Sequence, residues 1–386
     1  MMVLNDVKLM GSNDVFNIGI DGAQISFISN TPFAEFDDRL QLNLGNALAI
    51  PGLINSHDHL DFNVFPQLGC KTYSNYVEWG DYIHTNYKEQ IDRVLAIPVA
   101  LRAKWGVYKS LLCGVTTVVD HGIKHDTGEE LITVHDHCQS LHSIRLERNW
   151  KPRLNNPLKL NIPAVIHIGE GTDKAAEFEI DELIRWNILQ RDLIGIHGVA
   201  MNPEQAKHFK ALVWCPQTNY FLLNKTAPVN ALKDSTTVLF GTDSTLTGNS
   251  DIWDHIRLAR KTTLLSDEEL YQSLTTNPSH IWKTNSGQLA EGKDADIVIV
   301  KPHVSSFFDI TPEDILLVIH HGNIRLFDET LSVQLINLNR DAYSKIEING
   351  TCKYVQGDLS GLIHQIHQYY PEAKLPVTAE GLLSVH

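Results

Sequence analysis

The spacing of apolar and polar positions divides this chain into three stretches. Up to residue 50, short alternating runs (DVKLM, VFNIGI, QISFIS) are separated by a Gly-Ser-Asn turn and by Asp21-Gly22, which predicts a small antiparallel sheet. From Ala49 the apolar residues gather into unbroken runs, LAIPGLIN, GVTTVVD, AVIHI, LIGIHG, ALVWCP and TVLFGTD, with longer amphipathic stretches between them. Buried strands alternating with helical patterns predict a parallel sheet covered by helices. After Ser286 short strands return in DADIVIVKP, ILLVIHHGNIRLFD and SVQLINLN, with His321-Gly322-Asn323 as a hairpin turn. Near the end, Leu362, Ile363 and Ile366 fall close to helical spacing and predict a C-terminal helix.

Residues 50–286 have the length of a (β/α)8 barrel, for which about 250 residues is typical. No GxGxxG or GxxxxGK[ST] follows any strand, which argues against a doubly wound nucleotide fold. The predicted class is therefore α/β: a distorted TIM (β/α)8 barrel over 50–286, beside a small β-sandwich built from both termini, residues 1–49 with 287–386. The stretch 121–162 is too short for two full βα units, so one unit, around strand four, is expected to be shortened.

Charge and composition narrow the partners. Acidic residues number 46 against 32 basic, a formal charge of −14, which repels a phosphate backbone and excludes nucleic acid as a partner. No apolar run approaches the roughly 20 residues of a membrane span, and the start lacks a basic region leading into an apolar one, so a cytoplasmic protein without membrane contact is expected. The five cysteines, Cys70, Cys113, Cys138, Cys215 and Cys352, are odd in number with no CxxC pair, which speaks against a disulfide framework or a thiolate zinc site. Cys215 precedes a proline with no partnered histidine in its motif, so it is not read as a nucleophile. The expected partners are a small-molecule substrate and further copies of the chain, a homodimer by default.

The 19 histidines change the picture, because of where they fall. Polar residues that can bind metal or move protons close the apolar strands: His57-Asp58-His59 after PGLINS, His167 after PAVI, His197 after LIGI, and Asp243 after VLFGT. In a barrel these ends converge on the C-terminal face. Residues two apart on a strand share a side, so His57 and His59 both face the mouth while Asp58 faces away. Three neutral imidazoles (His57, His59, His167) and the Asp243 carboxylate form a set that suits one divalent ion, Zn2+ first and Fe2+ as the alternative, with a place left for water. Glu170, just beyond His167, stands where a proton shuttle belongs. Asp243 can take a proton from the water, and His197 can polarise the attacked centre or orient the nucleophile. His135-Asp136-His137 repeats the spacing, but GEELITV before it reads as a helix, where residues two apart diverge, so that pair is assigned to the surface. His121 reads as a packed residue behind the site, Trp79 and Trp105 as core, and Asp251 as the cap of the helix after it.

The order and spacing of PGLINSHDHL, GVTTVVDHG, HIGEG, HG at 197–198, CPQTNYFLL, GTDS and GQLAEGKDADIVIV resemble the amidohydrolase superfamily, in its cytosine deaminase, guanine deaminase and chlorohydrolase-like branch. The resemblance implies metal ligands at His57, His59, His167 and Asp243, proton transfer by Glu170, a substrate-polarising His197, and Asn219 lining the pocket. Binuclear relatives carry a carboxylated lysine after strand four. Lys151 and Lys159 fall in that region but not at a strand end, and the spacing of Glu170 from His167 follows the mononuclear branch. For substrate contacts near the shortened segment the sequence offers Arg145, with His142 and Glu147 beside it. The expected function is metal-dependent hydrolysis of a non-peptide C–N bond, namely deamination of a small aminated heterocycle or amidine. The alternatives are hydrolysis of a linear or cyclic amide at the same site, and an inactive barrel serving as a binding or assembly subunit.

Overall fold

The computed structural model describes residues 1–31, 40–127 and 130–379. The alternating stretch at the start forms β1 (Met2–Leu9), β2 (Val15–Asp21), β3 (Gln24–Ser29) and β4 (Leu40–Pro51). The run LAIPGLIN is divided: its first half closes β4, and after Gly52 its second half opens β5 (Leu53–Asp58). Gly52 is required there, because a Cβ would stand 2.2 Å from Thr116 Oγ1.

Seven more strands follow: β6 (Val115–Asp120), β7 (Thr133–His135), β8 (Gln139–Ser143), β9 (Ala164–Ile168), β10 (Leu193–His197), β11 (Ala211–Trp214) and β12 (Thr237–Phe240). Pairing is parallel throughout, β5-β6-β7 in one set and β8-β9-β10-β11-β12 in the other. The sets meet where β12 returns to β5: the Thr242 and Asp243 N–H groups donate to the His57 carbonyl at 3.1 and 3.0 Å. This is a TIM-barrel-like α/β arrangement. Ile54, Val119, Val165, Ile196, Val213 and Leu239, from β5, β6, β9, β10, β11 and β12, join one buried cluster with Trp282.

On the other side of the ring only residues 136–138 separate β7 from β8. That is too few for the crossover that paired parallel neighbours need, so the two strands belong to separate sheets. The shortening therefore differs from the expected one. Both strands are present, and among the described residues it is the helices between β6 and β8 that are missing. The only helices between β8 and β9 are α4 (Trp150–Leu154) and a single short turn. The longest insertion lies instead between β5 and β6, where α1 (Tyr76–Asn86), α2 (Lys88–Leu95) and α3 (Val99–Leu112) are placed. The α5 helix (Lys174–Trp186) connects β9 to β10.

The returning strands are β13 (Ile297–Val300), β14 (Ile315–His320), β15 (Asn323–Asp328), β16 (Tyr343–Ile348), β17 (Thr351–Gln356) and β18 (Thr378–Ala379). They join β1–β4 in one hydrogen-bonded sheet of ten strands, with β13 antiparallel to β4. Where the sequence leads one to expect a small β-sandwich, the pairing of β4 with β13 makes the N- and C-terminal strands continuous in one hydrogen-bonded order. The β14–β15 hairpin turns on His321 and Gly322, both at positive φ, as expected. The predicted C-terminal helix spans Leu359–Tyr369 and buries Leu362, Ile363 and Ile366 in the same cluster as the outer faces of the barrel strands. Among the described residues no helix is long and apolar enough to cross a membrane.

Candidate active site

Four imidazoles and two carboxylates meet at the ends of β5, β9, β10 and β12. His57 Nε2 lies 3.3 Å from His167 Nε2 and 3.5 Å from Asp243 Oδ1, while His59 Nε2 lies 3.4 Å from His167 Nε2 and 3.7 Å from Asp243 Oδ1. His197 faces the same centre, its ligand nitrogen within 4.8 Å of those of His57 and His167. The His167 Nδ1–H donates to the His142 carbonyl at 2.7 Å, so its Nε2 is an unprotonated acceptor. Nitrogens of three imidazoles facing one another at 3.3–3.4 Å, beside a carboxylate, form a donor set that a shared cation would satisfy.

The spacing fits a metal. Ligand atoms about 2.05 Å from a tetrahedral zinc stand about 3.3 Å apart, close to the separations here. Protonation states fit as well. Burial lowers His57, and burial with the neighbouring His121, His57 and His59 holds His167 well below the ordinary imidazole range. Burial pushes His197 down to about 4. For Asp243 burial acts in the opposite sense, but the hydrogen bond and charge of His57, with His59 and His197, keep the carboxyl well below its usual range. Neutral imidazoles and an ionised carboxylate are the forms that bind metal. Thr247 Oγ1 donates to Asp243 Oδ2 at 3.2 Å, which leaves Oδ1 for the centre.

Backbone strain collects at the same place. His197 and Asp243 adopt φ of +73° and +58°, which cost a non-glycine residue about 1–3 kcal/mol and persist only where the surroundings impose them. For Asp243 the constraint is the pair of amide bonds to the His57 carbonyl. Asp58 turns away from the mouth, as expected. Buried completely, it accepts from Lys109 Nζ at 2.7 Å, Asn63 Nδ2 at 2.8 Å, Asn55 Nδ2 at 3.1 Å and Thr242 Oγ1 at 3.3 Å.

Glu170 sits over the imidazoles, 6% exposed, with Oε2 3.6 Å from His197 Nε2. Burial, with the charges of Asp243 and Glu179, lifts its carboxyl well above the usual range. His121 is buried behind the site as expected, its ring centroid 4.4 Å from that of His167 and its Nε2 3.1 Å from the Leu141 carbonyl across the gap between β6 and β8. Lys151 pairs with Glu182 and packs on Trp186, and Lys159 is exposed, so neither enters the site.

Two expectations are corrected. Asn219 does not line the cavity. It is fully buried behind His197, whose Nδ1–H donates to Asn219 Oδ1 at 3.0 Å, because the CPQTNYFLL segment folds as a helix (Pro216–Leu223) that presents position 219 to β10. Arg145 is exposed and is not among the residues lining the cavity, although His142 and Leu146 on either side of it are. Its charge acts on Glu179 instead. The His135–His137 pair departs from the expected surface placement: Thr133–His135 is strand β7 rather than helix, although Gly128 and Glu129 lie outside the described residues, and His135 packs against Trp282 with ring centroids 5.3 Å apart, while only His137, after the strand's end, is exposed. Trp79, read as core, is a half-buried wall of the cavity.

Glu179 escaped the sequence reading. It is buried on α5, its Oε1 accepts the Gly169 N–H at 2.8 Å, and the Tyr76 hydroxyl lies 3.4 Å from Oε2. A carboxylate within the apolar stripe Ala176, Ile180 and Leu183 was the available signal. Above the imidazoles opens a cavity of about 300 Å³, its floor formed by His59, His167, His197, Glu170 and Asp243 and its walls largely by the α1–α2 insertion.

A model of the amidohydrolase family matches residues 158–325. Among curated proteins, the chain is 25% identical over 203 residues to the 5-methylthioadenosine/S-adenosylhomocysteine deaminase of Pyrococcus abyssi, covering 44% of this chain and 48% of that one. A second match is 21% identical over 324 residues to the 5'-deoxyadenosine deaminase of Methanococcus aeolicus, covering 67% and 75%. The chain thus spans about half the length of the Pyrococcus abyssi enzyme, and 40% of its Pyrococcus furiosus counterpart. Among solved structures, an adenosine deaminase from Xanthomonas campestris with bound zinc superposes with a TM-score of 0.67 at 15% identity, covering 95% of this chain and 97% of that one. The atrazine chlorohydrolase of Arthrobacter aurescens TC1 complexed with zinc gives 0.63 at 17%, covering 84% and 95%. Over residues 158–325 the chain is thus similar to the amidohydrolase family, and in fold it is similar to a zinc-bound deaminase and a zinc-bound chlorohydrolase.

Proposed function

We propose that this protein is a metal-dependent hydrolase that deaminates a small aminated heterocycle. The observation that carries this reading is the convergence of His57, His59, His167 and Asp243, in which each of His57 and His59 stands 3.3–3.7 Å from both His167 and Asp243. The names of the relatives point the same way, toward ring C–N and C–Cl hydrolysis. Zinc is the proposed ion, with iron(II) as the alternative, and when bound it supplies a nucleophile at neutral pH by lowering the pKa of a water toward ~7.

The chain's own groups divide the remaining work. Asp243 Oδ1, ionised and aimed at the centre, accepts a proton from the attacking water. His197 has committed its Nδ1–H to Asn219, so its Nε2 accepts a hydrogen bond, which favours orienting the water over polarising the substrate by donation. Glu170, whose carboxyl burial lifts well above the usual range, is placed to hand a proton to the leaving nitrogen, so that ammonia departs neutral rather than as an amide ion. One ion is proposed rather than two, since neither Lys151 nor Lys159 reaches the site.

The proposed division of the chain is a barrel over 50–286 and a composite sheet domain of 1–49 with 287–386, in a cytoplasmic homodimer. Elemental analysis of the purified protein, with ammonia release measured on aminopurines, aminopyrimidines, pterins and lactams, tests the function. About one zinc or iron per chain with ammonia from a ring amine is the expected result. Ring-opened acids without ammonia would turn the reading to amide hydrolysis, and a chain that neither holds nor takes up metal would turn it to a scaffold.

A further inference from the structure

The walls of the cavity differ sharply from its floor. Phe62, Phe65, Ile83, Ile91, Leu146 and Leu222 are among the side chains around it. The two aromatic wall residues with a polar atom have committed it elsewhere: Trp79 Nε1–H donates to the Leu68 carbonyl at 2.7 Å, and the Tyr76 hydroxyl is engaged with Glu179. Among the described residues the lining holds no lysine or arginine, and no carboxylate besides Glu170 and Asp243. A phosphate or carboxylate tail calls for a cation or a helix N-terminus, and a ribose diol for a free acidic acceptor. The lining holds His84, His142, Ser244 and Thr247 as further polar side chains, but no permanently charged cation and no carboxylate beyond the two of the floor.

A second observation concerns α1. Gly80 lies in the interior of this helix, where glycine is about 1 kcal/mol less favourable than alanine. It lines the cavity, and a Cβ built on it would find no atom within 4 Å. Its neighbours along the wall, Trp79 and Ile83, are large. The helix thus carries a gap facing the cavity where a side chain would otherwise project.

We infer that the substrate is an uncharged aminated heterocycle bearing an apolar arm, with the ring's polar edge on the histidine floor and the arm along α1 in the space left by Gly80. This rests on the reading of the floor as a deaminating centre. It separates the site from one that holds a nucleoside sugar or an acid, because an apolar arm gains from leaving water against these walls whereas a charged or hydroxylated arm loses its hydrogen bonds there.

Calorimetric binding to the metal-replete protein tests the inference without requiring turnover. Three ring systems, aminopurine, aminopyrimidine and aminotriazine, are each compared bare, with a butyl arm, and with a carboxypropyl arm, and adenosine is added. In the ring system that binds, the butyl arm should tighten the Kd at least tenfold over the bare ring, and the carboxypropyl arm and the ribosyl arm should not. Gly80→Leu should reduce the butyl-to-bare affinity ratio about tenfold, while its Tm holds or rises because a helix-interior glycine is removed. A carboxylated or ribosylated ring binding as tightly as the butylated one would overturn the inference. So would a Gly80→Leu ratio equal to that of the parent, or no binding by any member. Ammonia release is measured on the same panel. Tight binding of the butylated ring with no ammonia would overturn deamination while leaving the shape and polarity of the site as inferred.

Discussion

Glu170 and the ligands occupy the same few ångströms yet differ in what they hold. Glu170 stands against His197 rather than among the four proposed ligands, so Glu170→Gln should keep its metal while ammonia release falls by 10²–10⁴, the usual worth of a positioned acid. His57→Asn, by contrast, should lose the ion in elemental analysis, and metal lost from the glutamine variant instead would mean that Glu170 is a ligand. Glu179 gives a pH prediction. Burial lifts its carboxyl to about 7, against the Gly169 N–H and the Arg145 charge, which act to lower it. The folded protein then binds more protons than the unfolded chain between about 4.5 and 7, so stability declines as the pH climbs through that window and is level above it. The size of this decline is on the order of 3 kcal/mol. Glu179→Gln, which keeps an acceptor for Gly169, should remove it, as read from urea unfolding at pH 4.5 and 7.5 for both proteins. An equal slope in the variant would show that other groups cause it. At this scale the sequence displayed the ligands plainly, because a strand's period of two fixes which side each residue faces. It did not display the partners of Asn219 and Glu179, since a buried amide or carboxyl is explained only by what packs against it.

Among the elements, α3 bears most directly on the site. Lys109, on the buried face of this helix, reaches Asp58 between the two histidines of β5, and Asn63 Oδ1 accepts from the same ammonium at 2.9 Å. Removing one partner of a buried pair leaves a charge without compensation, so Lys109→Met should cost about 3–5 kcal/mol in urea unfolding. The double variant Asp58→Asn with Lys109→Met should recover at least half of that loss, because it leaves no bare charge. A loss no larger than that of an exposed lysine would show the pair to be immaterial. The segment from β6 to β9 shows how far element-level reading reaches. Its shortness was evident from the count of residues between Asp120 and His167. Which part was missing was not, because the strands Thr133–His135 and Gln139–Ser143 are too short to carry a period. Their strand character comes from pairing with β6 and β9, a contact between residues distant along the chain. His121 then spans the opening by bonding to Leu141.

The whole molecule is built around one passage of chain, where β4 leaves the ten-stranded sheet and becomes the first barrel strand with only Gly52 between. A single buried cluster runs from the barrel's outer faces through the Leu359–Tyr369 helix to Ile346 and Val355 of the sheet, and the Tyr108 hydroxyl of α3 donates to the Gln356 carbonyl at 3.1 Å. Sheet and barrel should therefore unfold together. The ligands come from two barrel strands, β5 and β9, and from the segments that follow β5 and β12, so a metal bound at a thousand times its Kd should add about 4 kcal/mol to that transition. Stripping with a chelator should lower the Tm by several degrees, and adding zinc back should restore it in one cooperative step. A Tm indifferent to chelation would remove the metal from the site. Local periodicity and turn chemistry, which act over a few residues, settled by themselves that this chain has a parallel barrel-like middle, strand-rich ends and histidines on one face. The joining of both ends into one sheet, the opening beside β7, the withdrawal of Arg145 and Asn219 from the cavity and the apolar walls with their gap at Gly80 were decided only by tertiary structure. Each depends on burial and pairing between segments that no local pattern brings together.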